Sequence, residues 1–172
     1  GNCWFSVCDM RSGYYQVAMA EKDRDKTAFI SHRGLYRYKV MPMGLTNAPS
    51  TFQRLMDLVM AGLLYEVCQV YLDDIIIFSR TLEEHLSRLE MVFDRLEKAG
   101  LKLKPSKCKF LQRKVGFLGH IISEEGIATD PAKTEAIAHW PTPRNVHEVR
   151  GFLGLCSYYR RFVDHYAEKS AP

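Results

Sequence analysis

The sequence predicts an α+β fold in which helices cover one face of an antiparallel sheet. Three observations predict it. Residues 50–64 carry Phe52, Leu55, Met56, Val59, Met60 and Leu63 at three- and four-residue spacing, the stripe of an amphipathic helix. Thr81-Leu82-Glu83-Glu84 is a capping box that opens a second such helix, with Leu82, Leu86, Leu89, Val92, Phe93 and Leu96 inward and Gly100 as its stop. Between them, Gln69 to Ser79 reads QVYLDDIIIFS, two β-branched and aromatic runs that can reverse direction only at Leu72-Asp73-Asp74. Elements in this order put both helices on one side and leave the other face of the sheet free for a ligand.

The acid pair at that reversal needs a physical reason, because no lysine or arginine lies within the stretch. On a continuous strand neighbouring side chains point to opposite faces, whereas at a tight turn they converge. Two anions held that close call for a cation. The turn is therefore either a solvated hairpin tip, where Asp is common, or a divalent metal site at the edge of an apolar sheet.

Composition narrows the classes. With 172 residues, 47% of them hydrophobic, the chain can bury a real core and suits one large domain, or one domain plus part of another. A net charge of +4 and a pI near 8.8 permit a nucleic-acid partner without requiring one. The five cysteines are odd in number, widely spaced and without a CxxC pair. They read as reduced thiols of an intracellular protein, with neither a disulfide frame nor a zinc site. No signal peptide is present and no apolar run approaches the ~18 residues that span a bilayer, so no membrane partner is expected. A start almost directly in a strand and an end just after a helical pattern suit a piece of a longer polypeptide.

In chain order, Trp4 to Asp9 is a short apolar strand ending on a carboxylate, which a core strand would carry beside the Asp73-Asp74 turn. Arg11-Ser12-Gly13 breaks it, Tyr14 to Met19 reads as extended, and Glu21 to Lys26 as a charged loop. Residues 27–31 and 35–40 form a hairpin about His32-Arg33-Gly34, with Tyr36, Tyr38 and Val40 on an apolar face and Arg37 and Lys39 on a basic one. Met41 to Pro49 is a rigid turn feeding the first helix, capped by Asn47 or Thr46 with Pro49 in the first turn. Lys102, Lys104, Lys107, Lys109, Arg113 and Lys114 are interleaved with apolar residues, as either a solvated surface or a phosphate-contacting one. Val115 to Ile122 reads as a strand pair about a glycine-containing bend, and Asp130-Pro131 starts a helix to about His139. Asn145 with Glu148 caps a last helix from about Val146 to Tyr166. Its Gly151 and Gly154 each cost ~1 kcal/mol relative to alanine. Arg150, Gly154 and Tyr158 share one face of that helix, suited equally to close approach on a polynucleotide groove and to helix packing through a glycine notch.

These pieces fit a chemistry. Two Mg²⁺ ions roughly 3.5–4 Å apart activate a 3′-hydroxyl, stabilise charge on an α-phosphorus and hold the leaving pyrophosphate. One Asp at a strand end plus an Asp pair on a neighbouring hairpin supplies the few carboxylates that magnesium prefers.

At this point the resemblance becomes specific. Tyr71-Leu72-Asp73-Asp74 resembles the YxDD box of reverse transcriptases, and Phe5 to Tyr14 their first palm motif. Met43-Gly44-Leu45-Thr46-Asn47-Ala48-Pro49-Ser50-Thr51-Phe52-Gln53 and Phe117-Leu118-Gly119-His120 are most similar to the long-terminal-repeat retrotransposons of the Ty3/gypsy kind, within a Pol polyprotein. The resemblance runs from Trp4 nearly to the end. It implies a polymerase palm with a partial fingers hairpin (palm 1–122, hairpin about 24–45) and the start of a helical thumb (123–172). It implies that Asp9, Asp73 and Asp74 are the catalytic acids and the ligands of two Mg²⁺ ions, with Mn²⁺ as a substitute. Tyr14 matches the aromatic gate against a ribose 2′-hydroxyl, and Leu72 the variable box position near the nucleotide sugar. Met43 stands where retroviral enzymes carry a glutamine against the nucleotide, and Lys107 falls near the lysine proposed to protonate pyrophosphate. Phe117, Leu118, Gly119 and His120 match the primer grip, and Arg150, Gly154 and Tyr158 the thumb helix that tracks the minor groove.

The implied reaction is RNA-directed DNA polymerisation, with dNTPs and an RNA or DNA template-primer as partners. Fingers, connection and ribonuclease H segments of the same polyprotein are the further partners, and the implied location is cytoplasmic, in a virus-like particle, or nuclear. A non-catalytic, domesticated nucleic-acid-binding palm is the alternative from another class, and the intact acids argue against it, because unpaired clustered carboxylates are costly. A metal-dependent nuclease would share the two-metal logic but lacks further ligands beside the acid pair.

Overall fold

Antiparallel pairing around β1 (Trp4–Asp9) organises the molecule, of which a computed structural model describes residues 1–171. β4 (Cys68–Tyr71), β5 (Asp74–Ser79), β1 and β6 (Lys109–Gln112) lie side by side in the order β4-β5-β1-β6. The pleat sends successive residues to opposite faces. Cys8, Ile75 and Ile77 turn toward one side, where they pack with Phe52, Met56, Leu89, Val92 and Leu96 of two helices, α2 (Ala48–Val59) and α3 (Leu82–Lys98).

Phe5 and Ile76 turn the other way and meet Val115 and Phe117. These belong to a second antiparallel sheet of β7 (Lys114–Phe117), β8 (His120–Ser123) and β9 (Gly126–Thr129). The face expected to be free for a ligand is thus partly covered, because Phe5 and Ile76 are apolar and β7 supplies their cover. β9, a short and largely exposed Gly-Ile-Ala-Thr segment, has no signal in the sequence.

The helices follow their expected signals with informative shifts. α2 starts at Ala48 with Pro49 in its first turn, and Asn47 is its N-cap through its carbonyl, which accepts from Thr51 N–H. It ends at Val59 instead of Leu64, since Gly62 (φ +81°) turns the chain, and Met60 and Leu63 are buried from that turn instead. In α3, Thr81 Oγ1 accepts from Glu84 N–H at 3.2 Å, and the Glu84 carboxylate accepts from Arg80 N–H at 2.8 Å. At its other end Gly100 (φ +68°) donates to Glu97 O and Leu101 to Leu96 O, the paired bonds of a Schellman motif.

The buried row of α3 is His85, Leu89, Val92 and Leu96, while Leu82, Leu86 and Phe93 are exposed. The expected row is rotated because a polar residue, His85, is drawn inside by Ser6 and Ser79.

Three local expectations change. Gly13–Gln16 is a 3₁₀ turn instead of extended chain, and residues 21–27 are the short helix α1 (Glu21–Arg24) followed by a 3₁₀ turn. The hairpin of β2 (Phe29–Ser31) and β3 (Gly34–Tyr36) ends early, where Tyr38 N–H turns aside to Thr27 Oγ1 at 2.9 Å. After α4 (Pro131–Ala138), α5 (Val146–Ser157) stops well short of Tyr166, which instead begins α6 (Tyr166–Ser170). Both caps are as expected: Asp130 accepts from Ala132 N–H and Asn145 from Glu148 N–H. A Cβ at Gly151 or Gly154 would meet nothing within 4 Å, so no helix packs into the glycine notch among the described residues.

Candidate active site

The register of β1 against β5 places Asp9 directly opposite Asp74. Like charges at opposed positions destabilise a strand pair, so this pairing carries a cost that the sheet's apolar residues offset. Asp73 and Leu72 make the two-residue link from β4 to β5, with Leu72 at φ +51° in the left-handed region. A leucine there costs roughly 1–2 kcal/mol and persists only where neighbours enforce it. Two neighbours do. Gln53 of α2 accepts from Leu72 N–H at 2.7 Å and donates to Val70 O at 3.3 Å, while Asp73 O accepts from Met10 N–H at 3.0 Å.

The Asp73 carboxylate is pressed against Gly13. A Cβ at Gly13 would overlap Asp73 Oδ1 and come within 2.7 Å of Phe52 Cζ, so glycine is required there for close approach. Asp73 Oδ1 is buried with no hydrogen-bond partner. Burial first, then the charges of Asp9 and Asp74, push the Asp73 carboxyl above the usual range; the Gly13 amide and Lys107 oppose the shift without satisfying Oδ1. Asp74 is raised too, by burial and then Asp9, with Lys107 opposing.

Lys107 ends a 3₁₀ turn at Pro105–Lys107 and its Nζ donates to Asp9 Oδ2 at 3.2 Å. That turn is tied to the acids by Lys104 N–H, which donates to Asp9 O at 2.8 Å. The structure thus brings Lys107 directly to the acids.

Tyr14 stands edge-on to Phe52 at 5.6 Å, and its hydroxyl pKa is raised by burial and then by Asp73 and Tyr71, which places it beside the box. Met43 is 66% exposed on the loop entering α2. As they stand, no group of three or more His, Cys, Asp or Glu side chains among the described residues is arranged to hold a metal ion. Asp9 meets Lys107, and Asp73 sits against the Gly13 recess.

The remaining candidates divide. Phe117 is a core residue beneath the sheet, while Leu118 and Gly119 form the two-residue turn of the β7–β8 hairpin. Tyr158 lies against that turn, with its hydroxyl donating to Leu118 O at 2.5 Å. Arg150 and Gly154 stay exposed along α5.

Sequence reasoning missed two side chains that hold the site. Gln53 closes the Met43–Gln53 motif, but nothing in the sequence marks its contact with Leu72. Gln16 donates to Arg11 O and Lys102 O, both at 2.9 Å, and accepts from Lys102 N–H at 2.7 Å. It ties the end of β1 to the segment leading to Lys107, and no spacing or composition marks it.

Residues 1–122 match the family model described as reverse transcriptase (RNA-dependent DNA polymerase), and the chain belongs to that family. The architecture agrees: the chain superposes on a foamy viral protease-reverse transcriptase in complex with double-stranded DNA with a TM-score of 0.89 at 28% identity, covering 96% of this chain and 29% of that one. The corresponding structure with an RNA/DNA hybrid gives 0.80 at 27% identity, covering 92% and 21%.

Among named proteins, it is similar to the retrovirus-related Pol polyprotein from transposon 297 of Drosophila melanogaster, 47% identical over all of this chain and 16% of that polyprotein. The gypsy polyprotein of the same fly is 40% identical over 98% and 16%, and the Tf2-3 polyprotein of Schizosaccharomyces pombe 32% over 100% and 13%. The resemblance to gypsy-type elements is borne out, and the chain spans under a fifth of the length of these relatives.

Proposed function

We propose that this chain is the catalytic core of a retrotransposon reverse transcriptase, adding dNTPs to a primer 3′-hydroxyl on an RNA or DNA template. The observation that carries the reading is Asp9 opposed to Asp74, beside an Asp73 whose buried Oδ1 lacks any partner. Such a cluster is unfavourable alone and favourable around a cation. Residues 1–122 are the palm with a fingers hairpin at about 24–45, and 123–172 begin the thumb.

The donor set fits magnesium, a hard cation that takes carboxylate oxygens and keeps other positions for water and phosphate. Asp9, Asp73 and Asp74 would hold two such ions, with Mn²⁺ as substitute. When bound, they supply activation of the primer hydroxyl and neutralisation of charge at the phosphate. The chain's own residues do the rest. Tyr14, held by Phe52, crowds the 2′ position of the incoming sugar, and Leu72 and Met43 line its surroundings. Lys107 is poised at the acids to give a proton to pyrophosphate. Phe117 to His120 meet the primer, and Arg150, Gly154 and Tyr158 the minor groove, which the open glycine notch suits. Solved relatives with double-stranded DNA and with an RNA/DNA hybrid support such partners. The work takes place in cytoplasmic virus-like particles or the nucleus, with the fingers, connection and ribonuclease H segments of the same polyprotein.

A second reading, a palm that binds nucleic acid without catalysis, is favoured by one observation: Lys107 already pairs with Asp9 at 3.2 Å, so one of the acids has a cation of its own. Incorporation on poly-rA/oligo-dT with Mg²⁺, by a protein extended to include the fingers, decides between them. Asp9→Asn should abolish it. Equal incorporation by both proteins overturns the polymerase reading, and Mg²⁺-independent duplex binding that survives Asp9→Ala supports the alternative.

A further inference from the structure

The turn between β7 and β8 is strained and is held from a distance. Leu118 (φ +47°) and Gly119 (φ +71°) are both left-handed, the conformation of a two-residue type I′ hairpin. Asn-Gly favours that turn; leucine at its first position does not, and it needs external enforcement. The enforcement comes from forty residues along the chain. Tyr158 donates its hydroxyl to Leu118 O at 2.5 Å and Tyr159 to Gly119 O at 2.7 Å. Leu118 O accepts a second bond, from His120 Nδ1 at 2.9 Å; a carbonyl only accepts, so Nδ1 carries the proton. The His120 ring lies 5.3 Å from Tyr158, 5.5 Å from Tyr159 and 5.7 Å from Phe162. Tyr159 is 7% exposed. A Cβ at Gly119 would stand 3.2 Å from the Tyr159 hydroxyl, a tight approach at a left-handed position that favours glycine.

This contact lies where α5 ends. Adjacent residues on a helix point about 100° apart. α5 stops at Ser157, and Tyr159 (φ −102°, ψ 13°) has left helical geometry, so both hydroxyls converge on consecutive carbonyls. The turn is in addition continuous with Phe117, packed with Phe5 and Ile76 of the strands that end in Asp9 and begin with Asp74.

We propose that Tyr159, as a positioning residue, together with the Tyr158 hydroxyl, locks the Leu118–Gly119 turn to the end of α5, so that turn and helix seat on the primer strand as one body. The inference rests on the polymerase reading for its partner, but not for the lock itself. The step from Tyr to Phe removes only a hydroxyl and keeps the ring stack, so the fold should survive it.

Hydrogen exchange of the 172-residue chain tests the lock without nucleic acid. In Tyr159→Phe, and more so in the double Phe variant, the amide of His120, where the turn enters β8, should exchange about fivefold faster, the effect of losing one net hydrogen bond. Unchanged exchange there overturns the proposal. Fluorescence anisotropy then tests the positioning role. Dissociation from a primer-template with a recessed 3′ end should accelerate about fivefold in Tyr159→Phe, with affinity for a single strand of equal length unchanged. A parallel loss for both ligands, accompanied by a lower Tm, marks general destabilisation and overturns the positioning role. Absence of duplex binding by the unsubstituted chain counts against the polymerase reading, while the exchange result still decides the lock.

Discussion

Asp73→Asn should make the metal-free protein more stable while removing its response to Mg²⁺. Asp73 Oδ1 is buried without a partner, and Asp9 and Asp74 add like charge beside it. An unsatisfied buried acceptor costs about 1–3 kcal/mol. The amide keeps the shape and removes the charge but must still find partners, and partial exposure of the acids screens their repulsion. A net gain of about 1 kcal/mol is therefore expected, or roughly 2–4 °C in Tm for a chain of this size. The pH dependence has a definite sign. The folded carboxyls of Asp73 and Asp74 are raised above the unfolded value of 3.8, so between the two the folded state binds more protons. Stability from these groups falls as pH rises through that window, and the penalty is fully present at neutral pH.

Thermal melts with and without Mg²⁺ check this. The unsubstituted chain should gain Tm with Mg²⁺, as a ligand of the folded state alone requires, and the variant should not. A variant less stable than its parent without metal, or an equal Mg²⁺ shift in both, refutes the reasoning.

Two further outcomes follow from the packing. His85 is fully buried: its Nδ1 donates to Ser79 Oγ at 2.9 Å, since that hydroxyl gives its own proton to Thr81 O, and its Nε2 accepts from Ser6 Oγ at 2.7 Å. Burial, then Arg88, lowers its pKa, so the unfolded chain gains a proton below about 6.5 that the fold resists. Urea melts should show this contribution weakening by up to ~1.4 kcal/mol per pH unit below that point, and His85→Ala should lose roughly 3 kcal/mol at neutral pH and flatten the slope; an unchanged slope counts against it. Gly13→Ala should cost about 1–3 kcal/mol by overpacking against Asp73 and Phe52 and weaken the Mg²⁺ shift, measured by the same melts; a neutral effect on both would show that the recess is looser than its geometry.

Much of the site was legible because its chemistry is local in the chain. Asp73 and Asp74 stand next to each other between two apolar runs, Asp9 ends an apolar strand, and Thr81, Asp130 and Asn145 cap the helices they precede. What failed was legible only in three dimensions. Gln16 and Gln53 act through backbone groups far along the chain. The buried row of α3 depends on whether His85 finds partners, and these come from β1 and β5. α5 ends at Ser157, where two hydroxyls reach a turn forty residues earlier.

Periodicity, caps and turn residues in the sequence by themselves marked most of the strands and the main helices, and the ordered motifs marked the family. Only the tertiary structure decided that Asp9 opposes Asp74, that Lys107 reaches them, that Gly13 makes room for Asp73, and that the second face of the sheet is partly covered. Patterns of period 2 and 3.6 report which side of an element is apolar. Register, helix rotation and the partners of buried polar groups depend on atoms distant in the chain, and no local pattern encodes them.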